Sequence, residues 1–247
     1  MKQKFPKVSD FTDKEFVNKY QKSPISHPYV VFPRLIEVLG SIKGKKILDL
    51  GCGTGDLSRI LAKNGAIVDA VDLSQECVER CKQNNTDMKN ITTSRADASE
   101  LKNIKSSTFD FVVMNMVFLN VNSKVKLEKS FKEVARVLKK EGIFVFTDLH
   151  PLALMIPKTL TEEQQYLEGF SYFKDATLYT SKVLLADGTT SITFTDIHWT
   201  LETYTTFINN NGLYIYRIIE PYPINGAPKL FNNYKLPEHI MFVCKKL

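Results

Sequence analysis

Short apolar runs alternate with amphipathic segments between residues 45 and 150, a pattern typical of strands separated by helices. The apolar runs predict five strands, at residues 46–50, 67–71, 91–95, 109–115 and 143–148. The amphipathic segments predict helices at about 56–63, 75–83 and 124–139, with a short piece near Ser99. Strands that alternate with helices in this way lie parallel and are joined by right-handed crossovers. We therefore predict an α/β domain with helices on both faces of one sheet.

The chain before residue 45 predicts a helical extension rather than part of the alternating core. One helix is expected to begin near Asp10, and a second to cover about residues 29–39. Two prolines, in Ser23-Pro24 and His27-Pro28, are expected to interrupt the helical pattern. Residues 1–44 are assigned to this extension, and residues 45–150 to the core.

The alternation stops after residue 150. Residues 151–199 predict a helix begun by Thr161-Glu162-Glu163 and two strands, at 178–185 and 189–197, around an Asp187-Gly188 turn. We interpret this segment as an insertion that caps the carboxyl edge of the sheet. Residues 200–247 predict a last helix and two strands that complete the core sheet, at 200–209, 213–219 and 239–245.

A glycine-rich turn joins the first predicted strand to the first core helix. Its Gly51, Gly53 and Gly55 allow close approach of a ligand to the backbone, and the helix N-terminus supplies free N–H groups. Asp49 precedes the turn, where its charge would repel a diphosphate and attract an ammonium group. The spacing is also one residue shorter than the Gly-x-Gly-x-x-Gly of dinucleotide sites. These features favour a ligand that carries an amino group and no phosphate.

Two further acids follow the second and third predicted strands. Asp72 ends the second strand, where a carboxylate can accept hydrogen bonds from two ribose hydroxyls. Asp97 follows the third strand and can accept from an adenine amino group, or alternatively cap a helix before Ser99. Both acids are expected at the same edge of the sheet as the glycine turn.

With these features in this order, the chain resembles the class I S-adenosylmethionine-dependent methyltransferases. The resemblance covers about residues 45–148 and, more loosely, the final helix and two strands. It implies a Rossmann-like sheet of seven mostly parallel strands with helices on both faces, plus an α+β cap inserted after strand five. It also implies S-adenosyl-L-methionine as cofactor, S-adenosyl-L-homocysteine as product, and an N-terminal extension that lies over the cofactor site.

The resemblance also assigns the cofactor-binding residues. The strand-one acid and the glycine turn would contact the methionine moiety, and the acid that ends strand two would bind the ribose. The acid after strand three would bind the adenine amine, and the residues after strand four would lie near the sulfur. These positions are Asp49, Gly51, Cys52, Gly53, Asp72, Leu73, Asp97, Ala98, Asn115 and Met116.

Three residues on the acceptor side are candidates for a catalytic role, although an amine acceptor needs no base once it is presented neutral. His150 follows strand five, His198 precedes the final helix, and histidine suits a base near neutral pH. Tyr29 begins a helix that folds over the cofactor in relatives. Each also has a purely structural interpretation: a turn before Pro151 for His150, an edge position for His198 and the core for Tyr29.

Aromatic side chains are concentrated in the insertion. They predict an apolar acceptor pocket, the insertion's own core, or both. These residues are Tyr166, Phe170, Tyr172, Phe173, Tyr179, Phe194 and Trp199.

Composition and charge narrow the class of protein further. The 247 residues carry 33 Lys and Arg against 27 Asp and Glu, a net charge of +6. Only six of these cations are Arg and the lysines are scattered, so we interpret the excess as a lysine-rich surface, with nucleic-acid binding as the less favoured alternative. No apolar run approaches the ~20 residues of a membrane span, and no secretory signal is evident. The four cysteines suit neither a disulfide framework nor a zinc site, so no metal and a reducing cytoplasm are expected.

The sequence thus predicts a methyltransferase that acts on O or N of a small or medium-sized metabolite. Asn115-Met116-Val117-Phe118 lacks the prolines of relatives that methylate nucleobase or glutamine amino groups, and no Cys follows a Pro as in cytosine-C5 enzymes. Two alternatives stay open: a methyltransferase for a peptide or protein N-terminus or tRNA, and a binding-only protein that retains the fold. A nucleotide-dependent oxidoreductase is disfavoured by Asp49 and the shortened glycine motif.

Overall fold

The computed structural model describes residues 8–23, 26–155, 162–184, 189–229 and 236–247. Its strands are β1 (Lys46–Leu50), β2 (Ile67–Asp72), β3 (Ile91–Arg95), β4 (Phe109–Asn115), β5 (Leu138–Leu149), β6 (Glu162–Tyr166), β7 (Thr177–Leu184), β8 (Thr190–His198), β9 (Leu213–Ile219) and β10 (His239–Lys246). Seven of them form one sheet in the order β3-β2-β1-β4-β5-β10-β9. Because β10 alone runs against its neighbours in this sheet, the predicted seven-stranded, mostly parallel sheet is confirmed.

The α-helices of the described residues cover the faces of this sheet. They are α1 (Lys14–Lys22), α2 (His27–Leu39), α3 (Asp56–Lys63), α4 (Gln75–Asn84), α5 (Lys124–Val137), α6 (Pro151–Leu154) and α7 (Leu201–Asn210). Two details of the prediction are wrong. The segment near Ser99 is a turn in which Asp97 bridges Glu100, rather than a helix. Pro28 does not interrupt a helix but lies in the first turn of α2, where the missing N–H has no helical partner to lose.

Each face of the main sheet buries its own apolar core. On one face, α5 and α7 contribute to a cluster in which Phe146 stacks on Phe242, with ring centroids 4.7 Å apart. On the other face, Leu35 of α2 and Leu61 of α3 pack with Val113 of β4. Burial of apolar surface contributes about 25 cal/mol for each Å², so two such layers fix the sheet rigidly. The carboxyl ends of its parallel strands therefore have defined positions.

The insertion after β5 contains a second, antiparallel sheet in the order β6-β7-β8, together with the short helix α6. The helix predicted to begin at Glu162-Glu163 is wrong, because Glu162–Tyr166 forms the edge strand β6. Charged residues are typical of edge strands, and Glu163 forms a 2.9 Å ion pair with its cross-strand partner Lys182. The predicted Asp187-Gly188 turn and Thr161 lie outside the described residues.

Asp175 joins the loop before β7 to the start of α7. Its carboxylate accepts hydrogen bonds from the Thr200 N–H at 3.0 Å and the Thr203 hydroxyl at 2.6 Å, and it forms an ion pair with Lys124 at 2.5 Å. Burial opposes ionisation of Asp175, but these contacts outweigh it and lower its pKa to about 2. The second sheet is thereby fixed to both α5 and α7.

None of the helices in the described residues has the length and apolar character of a membrane span.

Substitution of Gly55 by Ala tests the tight contact between the glycine turn and α4. Gly55 has φ +88°, and an added Cβ would lie 2.5 Å from both the Cys81 Sγ and the Asn85 Nδ2. Gly212 is the matched control, because its φ is +71° but a Cβ there meets nothing within 4 Å. We expect G212A to cost about 1 kcal/mol of backbone strain and G55A clearly more, measured by urea unfolding. Equal losses would contradict the steric part of this account.

Candidate functional site

A cavity of about 410 Å³ lies at the carboxyl ends of β1, β2 and β4. Open α/β sheets bind ligands at this edge, and the volume is within the range of small-molecule sites. Eight of the ten predicted cofactor-binding residues line it: Gly51, Gly53, Asp72, Leu73, Asp97, Ala98, Asn115 and Met116. The structure thus brings together residues that are up to 65 positions apart in the sequence.

The glycine turn lies against the end of β2 and the loop after β4. The Gly51 N–H donates to the Val71 carbonyl at 2.7 Å, and the Gly53 N–H donates to the Asp72 carboxylate at 2.9 Å. A Cβ on Gly51 would lie 2.4 Å from the Val117 Cγ2, so a larger residue would push apart two walls of the cavity. This close approach is the physical reason for glycine at residue 51.

The two acids that follow β2 and β3 keep the capacity to bind a ligand. Each oxygen of Asp72 accepts one backbone N–H, from Gly53 and Ser74, and carboxylate oxygens can accept more than one hydrogen bond. Burial raises the pKa of Asp72, and these hydrogen bonds oppose the shift. Leu73 beside it is 54% exposed and offers an apolar surface.

Asp97 caps no helix, because Ser99 lies in a turn, and binding of an adenine amino group stays a prediction. Its Oδ1 accepts from the N–H and hydroxyl of Ser99, and its Oδ2 forms a 2.9 Å ion pair with Lys126. Burial opposes ionisation, but the contacts with Ser99 and Lys126 outweigh it and lower the pKa of Asp97. These three contacts leave room for one more hydrogen bond out of about four.

Asp49 and Cys52 lie beneath the glycine turn and do not line the cavity. The Asp49 Oδ2 accepts a 2.5 Å hydrogen bond from the Ser58 hydroxyl of α3. The contact between Asp49 and an ammonium group stays a prediction. Cys52 packs against Cys81 and Ala70 in the core. Burial raises the pKa of Asp49 to about 7, although the Ser58 hydrogen bond opposes the shift.

The three predicted catalytic candidates all lie outside the lining of this cavity. His150 caps α6, where its Nδ1 accepts from the Leu152 N–H at 3.0 Å and its Nε2 lies 3.1 Å from Glu220. His198 is buried with its Nε2 2.8 Å from the Tyr172 carbonyl. Tyr29 lies on α2 with 36% of its surface exposed. The structure agrees with the turn interpretation of His150, but His198 is buried rather than partly exposed, and Tyr29 lies outside the core.

The aromatic residues of the insertion divide between its own core, which includes Phe170 and Tyr179, the main-sheet core, which includes Trp199, and the surface. Tyr166 stacks on Phe170 with centroids 4.4 Å apart, and the Phe170 ring contacts Tyr179. Phe173 is 92% exposed. Of the seven, only Phe194 is among the lining residues.

The sequence predicted that the N-terminal extension and the insertion lie over this edge of the sheet, but not which of their residues line the cavity. Ser181, Val183, Phe194 and Asp196 share the face of β7 and β8 that lines it. Phe11 stacks on Phe194 at 6.4 Å between centroids, and the Thr195 N–H donates to the Ser9 hydroxyl. The alternation of residues along β7 and β8 could have identified this face, but not what it covers.

Two histidines that the sequence did not single out also line the cavity. His27 begins α2 and His239 begins β10, and their ring centroids are 5.4 Å apart. Because β10 is antiparallel to β5, its first residue pairs with Leu149 at the same edge where β5 ends. Burial lowers the pKa of His27 to about 4 and that of His239 to about 3. Both rings are therefore neutral at physiological pH. Among the described residues, no group of three His, Cys, Asp or Glu could hold a metal ion.

Comparison with known proteins adds an independent observation. Residues 48–146 match the family model described as a methyltransferase domain. The matched segment is 99 of the 247 residues and carries the sequence pattern of that family. The segment includes β1, the glycine turn, Asp72, Asp97 and Asn115, so the predicted family is confirmed where the site residues lie.

Two curated relatives are also named as methyltransferases. This chain is 34% identical over 161 residues to YqeM of Bacillus subtilis, a provisionally named methyltransferase. The aligned region covers 64% of this chain and 63% of YqeM. The chain is 33% identical over 116 residues to the demethylmenaquinone methyltransferase of Staphylococcus aureus, which covers 45% and 46% of the two chains. The chain thus matches less than two thirds of the length of these curated relatives.

A solved structure shows the same fold. The S-adenosylmethionine-dependent methyltransferase of Mesorhizobium loti superposes with a TM-score of 0.62 over 87% of this chain and 96% of that one. At 24% identity this likeness concerns the fold alone.

The raised pKa of Asp49 predicts a pH-dependent stability. Between about pH 4 and pH 7 the folded protein keeps a proton on Asp49 that the unfolded chain has released. The free energy of unfolding therefore falls as the pH rises through this range. Asn in D49N does not titrate. The unfolding free energy of wild type minus that of D49N should therefore fall with pH, by about 1.4 kcal/mol for each unit between the two pKa values.

Urea unfolding across this pH range measures the difference. S58A removes the hydrogen bond that stabilises the ionised carboxylate, so it should extend the falling part of the curve to higher pH. A difference that rises with pH would contradict a protonated Asp49.

Proposed function

We propose that this protein is an S-adenosylmethionine-dependent methyltransferase that acts on a small or medium-sized metabolite. The observation that carries the proposal is the common cavity lined by the residues that follow β1, β2, β3 and β4. The four segments carry the polar groups that an adenosyl ligand with a methionine tail would need. The domain match over residues 48–146 supports the same reaction class.

The cavity fits this cofactor without phosphate-binding features. Asp72 would accept from the ribose hydroxyls, the exposed Leu73 would cover one face of adenine, and Asp97 has room for its amino group. Asn120, whose buried Oδ1 has no hydrogen-bond partner in the described part of the chain, offers a further acceptor. When bound, S-adenosylmethionine supplies a methyl group on a sulfonium sulfur, and transfer to the acceptor breaks the carbon–sulfur bond and leaves its electron pair on sulfur.

The role of the protein is to align the acceptor and exclude water. The cover formed by Phe11, Phe194 and the Ser9–Thr195 hydrogen bonds gives the cavity an inner part between the two sheets. This enclosure favours an acceptor small enough to enter over a folded protein or tRNA. The Staphylococcus aureus relative, named for demethylmenaquinone, is consistent with a small-molecule acceptor.

The first test follows the methyl group. Pure protein is incubated with methyl-labelled S-adenosylmethionine and an extract of its source cells, and the label is separated into small-molecule, protein and nucleic-acid fractions. We expect label in the small-molecule fraction. Label in protein or in nuclease-sensitive material would contradict the metabolite proposal, and binding without transfer to any fraction would favour a binding-only protein.

The second test concerns the ribose contact. D72N keeps one acceptor oxygen for the backbone N–H groups but loses the charge, so we expect S-adenosylmethionine affinity to fall about tenfold or more, measured by calorimetry. D69N is the matched control, because Asp69 is on the same strand, bonds to the Thr92 hydroxyl and does not line the cavity. Unchanged binding by D72N would reject the ribose assignment.

A further inference from the structure

The tautomer of His27 is fixed by a chain of hydrogen bonds from the strand ends. The Thr147 hydroxyl donates to the Asn115 Oδ1 at 2.8 Å and also accepts from the Met116 N–H at 3.2 Å. The Asn115 Nδ2 therefore donates to the His27 Nδ1, at 3.3 Å. A ring that accepts at Nδ1 carries its proton at Nε2 when neutral. His27 thus retains an Nε2–H donor.

His239 offers the complementary group. The side chain is 1% exposed, lines the cavity and contacts the His27 ring edge to face. Its buried Nδ1 has no hydrogen-bond partner within the described residues. Buried polar groups are nearly always paired, so an unpaired ring nitrogen at a cavity indicates a missing ligand. Ser181 on β7, which also lines the cavity, has a buried hydroxyl without a partner in the described chain.

We infer, on the basis of the proposed function, that His27 and His239 bind a hydroxyl group of the methyl acceptor, so that methylation occurs on oxygen. The hydroxyl oxygen accepts from the His27 Nε2–H, and the hydroxyl proton is donated to the His239 Nδ1. The pair then acts as the acceptor-binding part of the cavity, while the segments after β1 to β4 hold the cofactor.

The valence of the acceptor atom distinguishes oxygen from nitrogen here. A hydroxyl oxygen has two lone pairs, so it can accept from His27 and still direct one lone pair toward the methyl carbon. A neutral amine has one lone pair, and a hydrogen bond from His27 would occupy it. A carboxylate has no proton to donate, and it would need a protonated His239, which burial of that ring opposes.

The same contact gives the departing proton a place to go. As the carbon–oxygen bond forms, the oxygen becomes positively charged and its proton strongly acidic. The proton then passes to the His239 Nδ1, which leaves a neutral ether product. A weakly basic imidazole is sufficient for this step, because the proton is far more acidic at that stage than in the free hydroxyl.

Nitrogen-15 labelling of histidine tests the pair directly, because the chain contains four histidines. In the presence of S-adenosylhomocysteine, the protein is titrated with phenol and cyclohexanol, and with their O-methyl ethers anisole and methoxycyclohexane. We expect a hydroxyl probe to shift the ring-nitrogen signals of His27 and His239, and its ether to shift them much less. If no hydroxyl probe shifts these signals, or if the ethers shift them equally, the inference is wrong.

Matched variants identify the group that responds. H239N and H27N should each lower the affinity of the hydroxyl probe about tenfold, with S-adenosylhomocysteine affinity nearly unchanged as a check of folding. H150N is the control, because His150 caps α6 outside the cavity and Asn is also a good cap. An equal loss in H150N would overturn the assignment.

The product of the labelling experiment separates this inference from the proposed function. Label on oxygen of a small molecule, with kcat/KM reduced about 100-fold in H239N, is the expected result. Label on nitrogen of a small molecule would overturn the hydroxyl assignment and leave the methyltransferase proposal intact. Absence of any transfer, with probe binding at His239 intact, would contradict only the proposed function.

Discussion

The turn after β1 is held against the end of β2 by three hydrogen bonds, and the rest of the site depends on this contact. Two backbone N–H groups, from Gly51 and Cys52, donate to the Val71 carbonyl, and the Gly53 N–H donates to the Asp72 carboxylate. The contact fixes the positions of the start of α3 and of Asp72. Because the neighbouring parallel strands end at the same edge, their last residues meet the turn at short range.

Asp49 is buried beneath this turn and does not line the cavity. Asp49 is satisfied by Ser58 of α3 and keeps the strand end and the helix together. Desolvation disfavours its charge, and the Ser58 hydrogen bond opposes this effect. The division is therefore between Asp49, which supports the turn, and Asp72, which faces the cavity.

The second sheet and the N-terminal segment complete the site from the opposite side. Their contacts are of two kinds, aromatic stacking of Phe11 on Phe194 and backbone pairing of Ser9 with Thr195. Asp175 fixes the second sheet to α7 and α5, so the cover has a defined position over the strand ends. The neutral histidines at the starts of α2 and β10 then line the covered cavity, where hydrogen bonds discriminate strongly between acceptor groups.

The sequence by itself determined the parallel core, the order of its elements and eight of the residues that line the cavity. The core and its order follow from local patterns, since apolar periodicity defines strands and helices, and parallel strands end at one edge. The eight residues follow from the family resemblance that these patterns support. The orientation of Asp49, the strand at Glu162–Tyr166 and the use of His27 and His239 were decided only by the tertiary structure. Each depends on which partner lies opposite a side chain, such as Ser58 beneath Asp49 or the pairing of β10 with β5, and contacts between residues far apart in sequence leave no local signal.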